Sequence, residues 1–260
     1  MANTALITGA SGGIGYELAR VFAQHGFDCV LVARSRDLLS QLASRLEAEH
    51  RVKTLVLAKD LSRSAAVDEV FEEVTAAAMT VEVLVNNAGF SVFGRFAETD
   101  LTRELELLQV NVVALTALTK LFLPAMLARR SGRILNLAST AAFEPGPLMA
   151  VYYASKAYVL SFSEALANEL RASGVTVTAL CPGPTRTGFQ ARGGLTESKL
   201  VRGEIADARS VAAAGYAGLM AGKTVVIPGF TNKLVPWMAR LLPRRVVPDI
   251  VRRAQERVGH

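Results

Sequence analysis

The chain has 260 residues, 51% of them hydrophobic and 20% charged, a length and balance that suit one large α/β domain and exclude a low-complexity chain. Its net charge of +6 is concentrated at one end. From residue 233 to 257, Lys233, Arg240, Arg244, Arg245, Arg252, Arg253 and Arg257 outnumber Asp249 and Glu256, so the excess reads as a solvated helical face and no nucleic-acid partner is expected.

The N-terminus runs into an apolar strand without a charged leader, so a cytoplasmic location is expected. Residues 5–8, 29–33, 54–58, 83–86, 134–138, 175–180 and 224–227 are short runs of Val, Ile and Leu with little polar alternation, as in strands covered on both faces. Helical stripes lie between them. Ile14, Leu18, Val21 and Phe22 mark the first, closed by Gly26; Leu38, Leu39, Leu42 and Leu46 mark the second; Val67, Val70, Phe71 and Val74 mark the third. Cys29 and Cys181 fall in strand runs and read as small buried hydrophobes. The longest apolar stretch, 114–128, is interrupted by Lys120 and Pro124 and is not expected to span a bilayer. The alternation predicts a doubly wound parallel α/β sheet of about seven strands with helices on both faces, binding its ligand beyond the carboxyl ends of the strands. The sheet domain occupies residues 1–229, and 230–260 form a basic amphipathic extension of it.

Directly after the first strand stands Thr8-Gly9-Ala10-Ser11-Gly12-Gly13-Ile14-Gly15, opening a helix. Glycines at such a turn let phosphate oxygens approach backbone amides at a positive helix end, which favours a dinucleotide. The second strand ends in Arg34, where an acidic residue would suit a ribose hydroxyl and an arginine suits a 2′-phosphate, so NADP(H) is expected over NAD(H); Arg36 can assist. The third strand ends in Asp60-Leu61. The Asp60 carboxylate can meet an adenine amino group or cap the next helix.

The fifth strand ends at Ser139, and the following helix opens with Tyr152-Tyr153-Ala154-Ser155-Lys156. Tyr152 and Lys156 are four apart and share a helical face. A nearby ammonium is expected to lower the phenol by ~2–3 pKa units, roughly 3–4 kcal/mol, so that it exchanges a proton with a substrate oxygen. Ser139 can donate to the same oxygen. Tyr153, three residues from Lys156, competes for the role, and spacing does not separate the two.

In this order the motifs resemble those of the short-chain dehydrogenase/reductase family over residues 3–229. Thr8 to Gly15 is similar to its T-G-x-x-x-G-x-G loop, Asn86-Asn87-Ala88-Gly89 to its N-N-A-G strand end, Tyr152-x-x-x-Lys156 to Y-x-x-x-K, and Pro182-Gly183 with Thr187 to P-G-x-x-x-T. The resemblance implies a Rossmann-type fold and assigns catalysis to Asn111, Ser139, Tyr152 and Lys156. It implies a cofactor site of Gly9, Ser11, Gly13, Ile14, Gly15, Arg34, Asp60, Leu61, Asn87, Ala88, Gly89, Tyr152, Lys156, Pro182, Gly183, Thr185 and Thr187, with no metal. In that reading Tyr152 rather than Tyr153 is the acid/base, Lys156 also binds the nicotinamide ribose, Asn111 holds a relay water and Thr185 meets the carboxamide. Gly12 departs from the basic residue that many NADP-preferring members carry there. A small-molecule carbonyl or alcohol substrate follows, as does a homodimer or homotetramer pairing through helices 101–128 and 152–171. The rival class is a catalytically silent NADP(H) sensor, against which the intact tyrosine speaks.

Loops 90–98, 143–149 and 185–209 supply Phe90, Phe93, Phe143, Leu148, Met149 and Phe189, an apolar set that suits a hydrophobic ketone, aldehyde or 3-oxoacyl substrate. Polar 190–199 suits a closing segment. In the tail, Leu234, Trp237, Met238, Leu241 and Leu242 form a stripe expected to pack on the protein, and membrane contact is not expected.

Overall fold

In the computed structural model, which describes residues 3–189 and 205–256, the apolar runs become strands and the striped segments helices. The strands are β1 (Thr4–Thr8), β2 (Asp28–Ala33), β3 (Thr54–Ala58), β4 (Val81–Asn86), β5 (Gly132–Leu137), β6 (Val175–Leu180), β7 (Thr185–Arg186), β8 (Ala206–Asp207) and β9 (Val225–Val226). Among the described residues, seven of them form one sheet in the order β3-β2-β1-β4-β5-β6-β9, with every pairing parallel. β7 and β8 make a separate parallel ladder beside it. This is the doubly wound Rossmann-type arrangement that the sequence predicts.

Successive side chains of a strand point to opposite faces, and each face is apolar. On one face Ile7, Leu31, Val85, Leu135 and Leu180 meet α1 (Gly13–Gln24), α2 (Arg36–His50) and a later helix, Ala208–Met220, through Leu18, Phe22, Leu39, Leu42, Leu46, Val211 and Leu219. On the other, Leu6, Val30, Leu84, Ile134 and Val177 meet α3 (Ala66–Ala76), α5 (Leu115–Arg129) and α6 (Ala150–Glu169), while α4 (Leu101–Leu108) packs on α6. The helix Ala208–Met220 is α7. Leu38 departs from the predicted stripe and is exposed, because it lies about 100° round the helix from Leu39, off the face that Leu39, Leu42 and Leu46 present to the sheet. Gly26 closes α1 as predicted, in the left-handed region at φ +78°.

From Leu101 to Arg129 the chain is helical without a break, and by length and composition alone that segment is apolar enough to cross a bilayer. Instead Leu115, Leu118, Phe122 and Met126 are buried against the sheet, which makes this a core helix. After β9 come a 3-10 turn, α8 (Val235–Leu241) and α9 (Val247–Gln255). The order β3-β2-β1-β4 reverses direction between β1 and β4, so the loops after those two strands face a common crevice.

Candidate active site

The loop after β1 is built for close approach. Gly9 and Gly13 lie in the left-handed region at φ +68° and +57°, where a side chain is strained. Gly15 is needed for space: a Cβ there would come within 2.3 Å of both the Asn87 amide nitrogen and the Gly9 carbonyl oxygen. The loop is clamped to the end of β4. Asn87 Nδ2 donates to the Thr8 carbonyl at 2.8 Å and to that of Gly9 at 3.3 Å, while the Asn87 and Ala88 amides donate to Thr8 Oγ1 at 2.9 and 3.0 Å. The N-cap of α1 is Gly12, which offers no side chain to the first-turn amides, and that turn holds no acidic residue. Orphan amides at a positive helix end, beneath an open glycine loop, fit a pyrophosphate.

Arg34 is exposed at the end of β2 and makes no ion pair among the described residues. It stands at the edge where an adenosine ribose would lie in this fold. Asp60 corrects one expectation. Its carboxylate does not cap α3, whose N-cap is Ala65; it instead accepts from the Ser62 amide at 3.0 Å and the Ser62 hydroxyl at 2.8 Å, closing a local turn. Leu61 beside it is buried.

Asn111, Ser139, Tyr152 and Lys156 come from three segments: the helix that follows Leu101, the end of β5, and α6, which carries both Tyr152 and Lys156. The helix from Leu101 widens into a π-turn over Gln109–Ala114, and buried Asn111 sits in it. Its amide nitrogen donates to the Phe90 carbonyl and the Ser155 hydroxyl, both at 3.1 Å, and its oxygen accepts from the Phe90 amide at 3.1 Å. Both amide hydrogens are thus committed to protein, and the second lone pair of Oδ1 is what remains for a water. Gly89 marks the convergence: a Cβ there would lie 2.9 Å from Asn111 Oδ1 and 3.6 Å from Lys156 Nζ. Lys156 is buried, donates to the Leu137 carbonyl at 2.7 Å and holds its ammonium 5.8 Å from the centre of the Tyr152 ring.

The electrostatics reverse the sequence expectation for the phenol. Burial pushes Tyr152 up to about 12, only partly opposed by a hydrogen bond with Ser139, and burial pushes Lys156 down to about 8. An ammonium almost 6 Å from the ring centre does not outweigh desolvation of the phenolate, so the Tyr152 phenol is neutral at pH 7 and keeps a proton that it can give up. Ser139 Oγ also accepts from the Ala141 amide at 3.1 Å.

Beyond β6 the Pro182 carbonyl accepts from the Thr140 amide, and Thr185 Oγ1 donates to the Gly183 carbonyl at 2.9 Å. Thr187 reaches back to the phosphate loop, where a Cβ on Gly13 would meet its methyl group at 2.9 Å. Of the predicted apolar set, Phe93, Met149 and Phe189 gather around Tyr152. The Phe189 ring centre is 5.6 Å from that of Tyr152. Phe90 and Phe143 do not join them. Phe90 packs in the apolar layer between the sheet and α3, α5 and α6, under the Arg103 guanidinium, and Phe143 packs toward Val159 and Leu160. Leu148, at φ +67°, accepts at its carbonyl from the Gly94 amide at 2.9 Å. The segment 190–199 and Arg257 lie outside the described residues.

Sequence reasoning expected the tail to pack on the protein but through other residues. Val247 and Val251 of α9 are buried with Ala141, Met149 and Tyr153, and Gln255 Nε2 donates to the Tyr153 hydroxyl at 2.5 Å. Asn232 packs so closely on Gly183 that a Cβ there would come within 2.4 Å of its oxygen. Ser155, which bridges Asn111 to the Tyr152 carbonyl, was also missed. The positions i, i+4 and i+8 of Val247, Val251 and Gln255 were the available signal. The predicted stripe itself fails: Leu242 is partly buried here, whereas Leu234, Trp237, Met238 and Leu241 are exposed.

Residues 3–197 match the short chain dehydrogenase family. Among curated proteins, the ketoacyl reductase HetN of a Nostoc species is 34% identical over 180 residues, covering 69% of this chain and 62% of its own. The chain thus spans about three fifths of that relative's length. Among solved structures, a short-chain dehydrogenase from Sphingobium yanoikuyae in complex with NADPH is 34% identical with a TM-score of 0.84, covering 99% of this chain and 100% of its own. A bulky-bulky ketone specific alcohol dehydrogenase from Comamonas testosteroni is 30% identical with a TM-score of 0.78, covering 95% and 99%.

Proposed function

The chain belongs to the short-chain dehydrogenase/reductase family, and we propose that it reduces a hydrophobic ketone or 3-oxoacyl compound with NADPH. One observation carries this reading. Tyr152, partly buried and four residues before Lys156 on α6, stands against an apolar cluster of Phe93, Met149, Phe189, Leu242, Val247 and Val251. The names of the ketoacyl reductase and the bulky-ketone dehydrogenase support an apolar carbonyl, and the NADPH-bound relative with exposed Arg34 supports the phosphorylated cofactor.

The glycine loop and the amides opening α1 would hold the pyrophosphate, Arg34 the 2′-phosphate, and Lys156 the nicotinamide ribose. When bound, the nicotinamide supplies the hydride. Tyr152 gives its phenolic proton to the carbonyl oxygen, to which Ser139 also donates a hydrogen bond. The ammonium of Lys156 stabilises the tyrosinate left behind, and a water on Asn111 returns the proton from solvent. The apolar wall excludes other water and admits the substrate's hydrocarbon part. Leu105, Val113, Leu127 and Tyr158 are exposed on the helices through which the chain pairs into a homodimer or homotetramer. A panel of 3-oxoacyl thioesters, bulky ketones, aldehydes and sugars, each run with NADPH and NADH, tests the reading. Turnover confined to small polar sugars would end it.

A further inference from the structure

The tail stripe expected to pack on the protein turns outward instead. Phe230, Leu234, Trp237, Met238 and Leu241 are 81%, 49%, 65%, 54% and 81% exposed. Leu234, Trp237, Met238 and Leu241 follow one another at i, i+3, i+4 and i+7 and so share one face of α8. The opposite side of α8 rests on the 3-10 turn Thr140–Phe143, next to Ser139. Exposed Lys233, Arg240, Arg244 and Arg245 surround the apolar face, and residues 230–248 contain no Asp or Glu. An exposed apolar patch of this kind on a folded domain marks a contact surface.

We propose that residues 230–245 dock the protein on an anionic lipid surface, with the apolar face of α8 at the acyl boundary and the four cations among the headgroups. The charge pattern chooses this occupant. A second copy meeting the patch about a two-fold axis would bring four cations against four cations, whereas an anionic surface complements all of them. Tryptophan, leucine and phenylalanine flanked by arginines are the composition that holds a helix in the plane of a membrane interface. The surface adjoins the apolar cluster, since Leu242, next to exposed Leu241, packs there with Tyr152 and Phe189. This inference stands on the patch alone and does not depend on the oxidoreductase reading.

Trp237 is the chain's one tryptophan, so its fluorescence reports from the patch itself. For the full chain without lipid, emission typical of water-exposed indole and ready quenching by acrylamide are expected. Phosphatidylglycerol vesicles shift the emission to the blue and shield it; phosphatidylcholine vesicles do so weakly, and 0.5 M salt reverses most of the effect. Replacing Arg244 and Arg245 together by Ser weakens partitioning about thirtyfold. Leu241→Glu abolishes the shift without lowering the thermal midpoint, since Leu241 packs on nothing. Three results overturn the proposal: Trp237 already shielded without lipid, which means that chain or a second copy covers it; no shift with phosphatidylglycerol; or a shift produced by an acidic polypeptide but not by vesicles.

Discussion

The phosphate loop and the C-terminal tail make opposite ends of one site by different means. In the loop, backbone geometry decides nearly everything: Gly9 and Gly13 need their left-handed φ, Gly15 needs its missing Cβ, and Asn87 locks the turn to β4. In the tail, side chains decide. Helix α9 buries Val247, Val251 and Gln255 over the pocket, while α8, a few residues earlier, leaves its apolar face in solvent. A dinucleotide is the same molecule in every turnover, so a rigid cradle suits it; a substrate-specific wall can be carried by a segment that packs through a few side chains.

If that division is right, variants of the central chemistry hit every substrate, those of the cradle act through the cofactor, and those of the tail act through substrate size. Tyr152→Phe should show the largest effect. Turnover falls about a thousandfold with all carbonyls while NADPH affinity, read by nucleotide fluorescence, is unchanged. Turnover near the parent rate would refute the acid role. Arg34→Asp comes next. Losing a charge-assisted contact to the 2′-phosphate raises the KM for NADPH about thirtyfold and that for NADH little. An equal loss with both cofactors would place Arg34 elsewhere.

Lys156 gives a smaller, pH-dependent effect. With its folded-state pKa at about 8, the ammonium that stabilises the tyrosinate is lost as pH rises, so kcat/KM for reduction is level below pH 7 and falls up to tenfold per unit above pH 8. The same shift bears on stability. Burial lowers this pKa from the usual lysine value of ~10.4, so the unfolded chain holds the proton more tightly. The resulting penalty, about 3 kcal/mol, is full below pH 8 and is relieved as pH rises to ~10.4. Lys156→Met should therefore raise the thermal midpoint at pH 7 even as it lowers activity. A lowered midpoint at pH 7 would mean that the bond to the Leu137 carbonyl outweighs desolvation. Gln255→Ala should have the mildest consequence. Losing the bond to Tyr153 loosens α9 and raises KM about fivefold for bulky ketones, with kcat and NADPH affinity little changed. A matching rise for acetone-sized ketones would show that α9 does not sense substrate bulk.

The local motifs were legible in the sequence because the physics behind them is local. Val-rich runs must be strands when helices cover both faces, glycines at a strand-to-helix turn announce a close-approaching ligand, and residues four apart on α6 must share a face. The order of the motifs along the chain carried the family resemblance, and with it the assignment of Tyr152 over Tyr153. Asn111 was legible as a residue, but not the π-turn that holds it or its bonds to Phe90 and Ser155. Asp60 was ambiguous because a carboxylate at a strand end can accept from an adenine amino group or from the amides that open a helix, and its closure of a local turn with Ser62 was not foreseen.

By itself the sequence determined the parallel sheet, the glycine turn after β1 and the chemical type of each candidate site side chain, since these follow from periodicity, glycine placement and residue identity. The tertiary structure alone decided how those groups titrate and what walls them in. The Tyr152 phenol rises rather than falls because desolvation depends on how many distant segments close around it, and no spacing rule counts them. Likewise Leu234 and Val247 are equally apolar in sequence, and only the docking of α9 on Tyr153 and Met149 puts one in solvent and the other in the core.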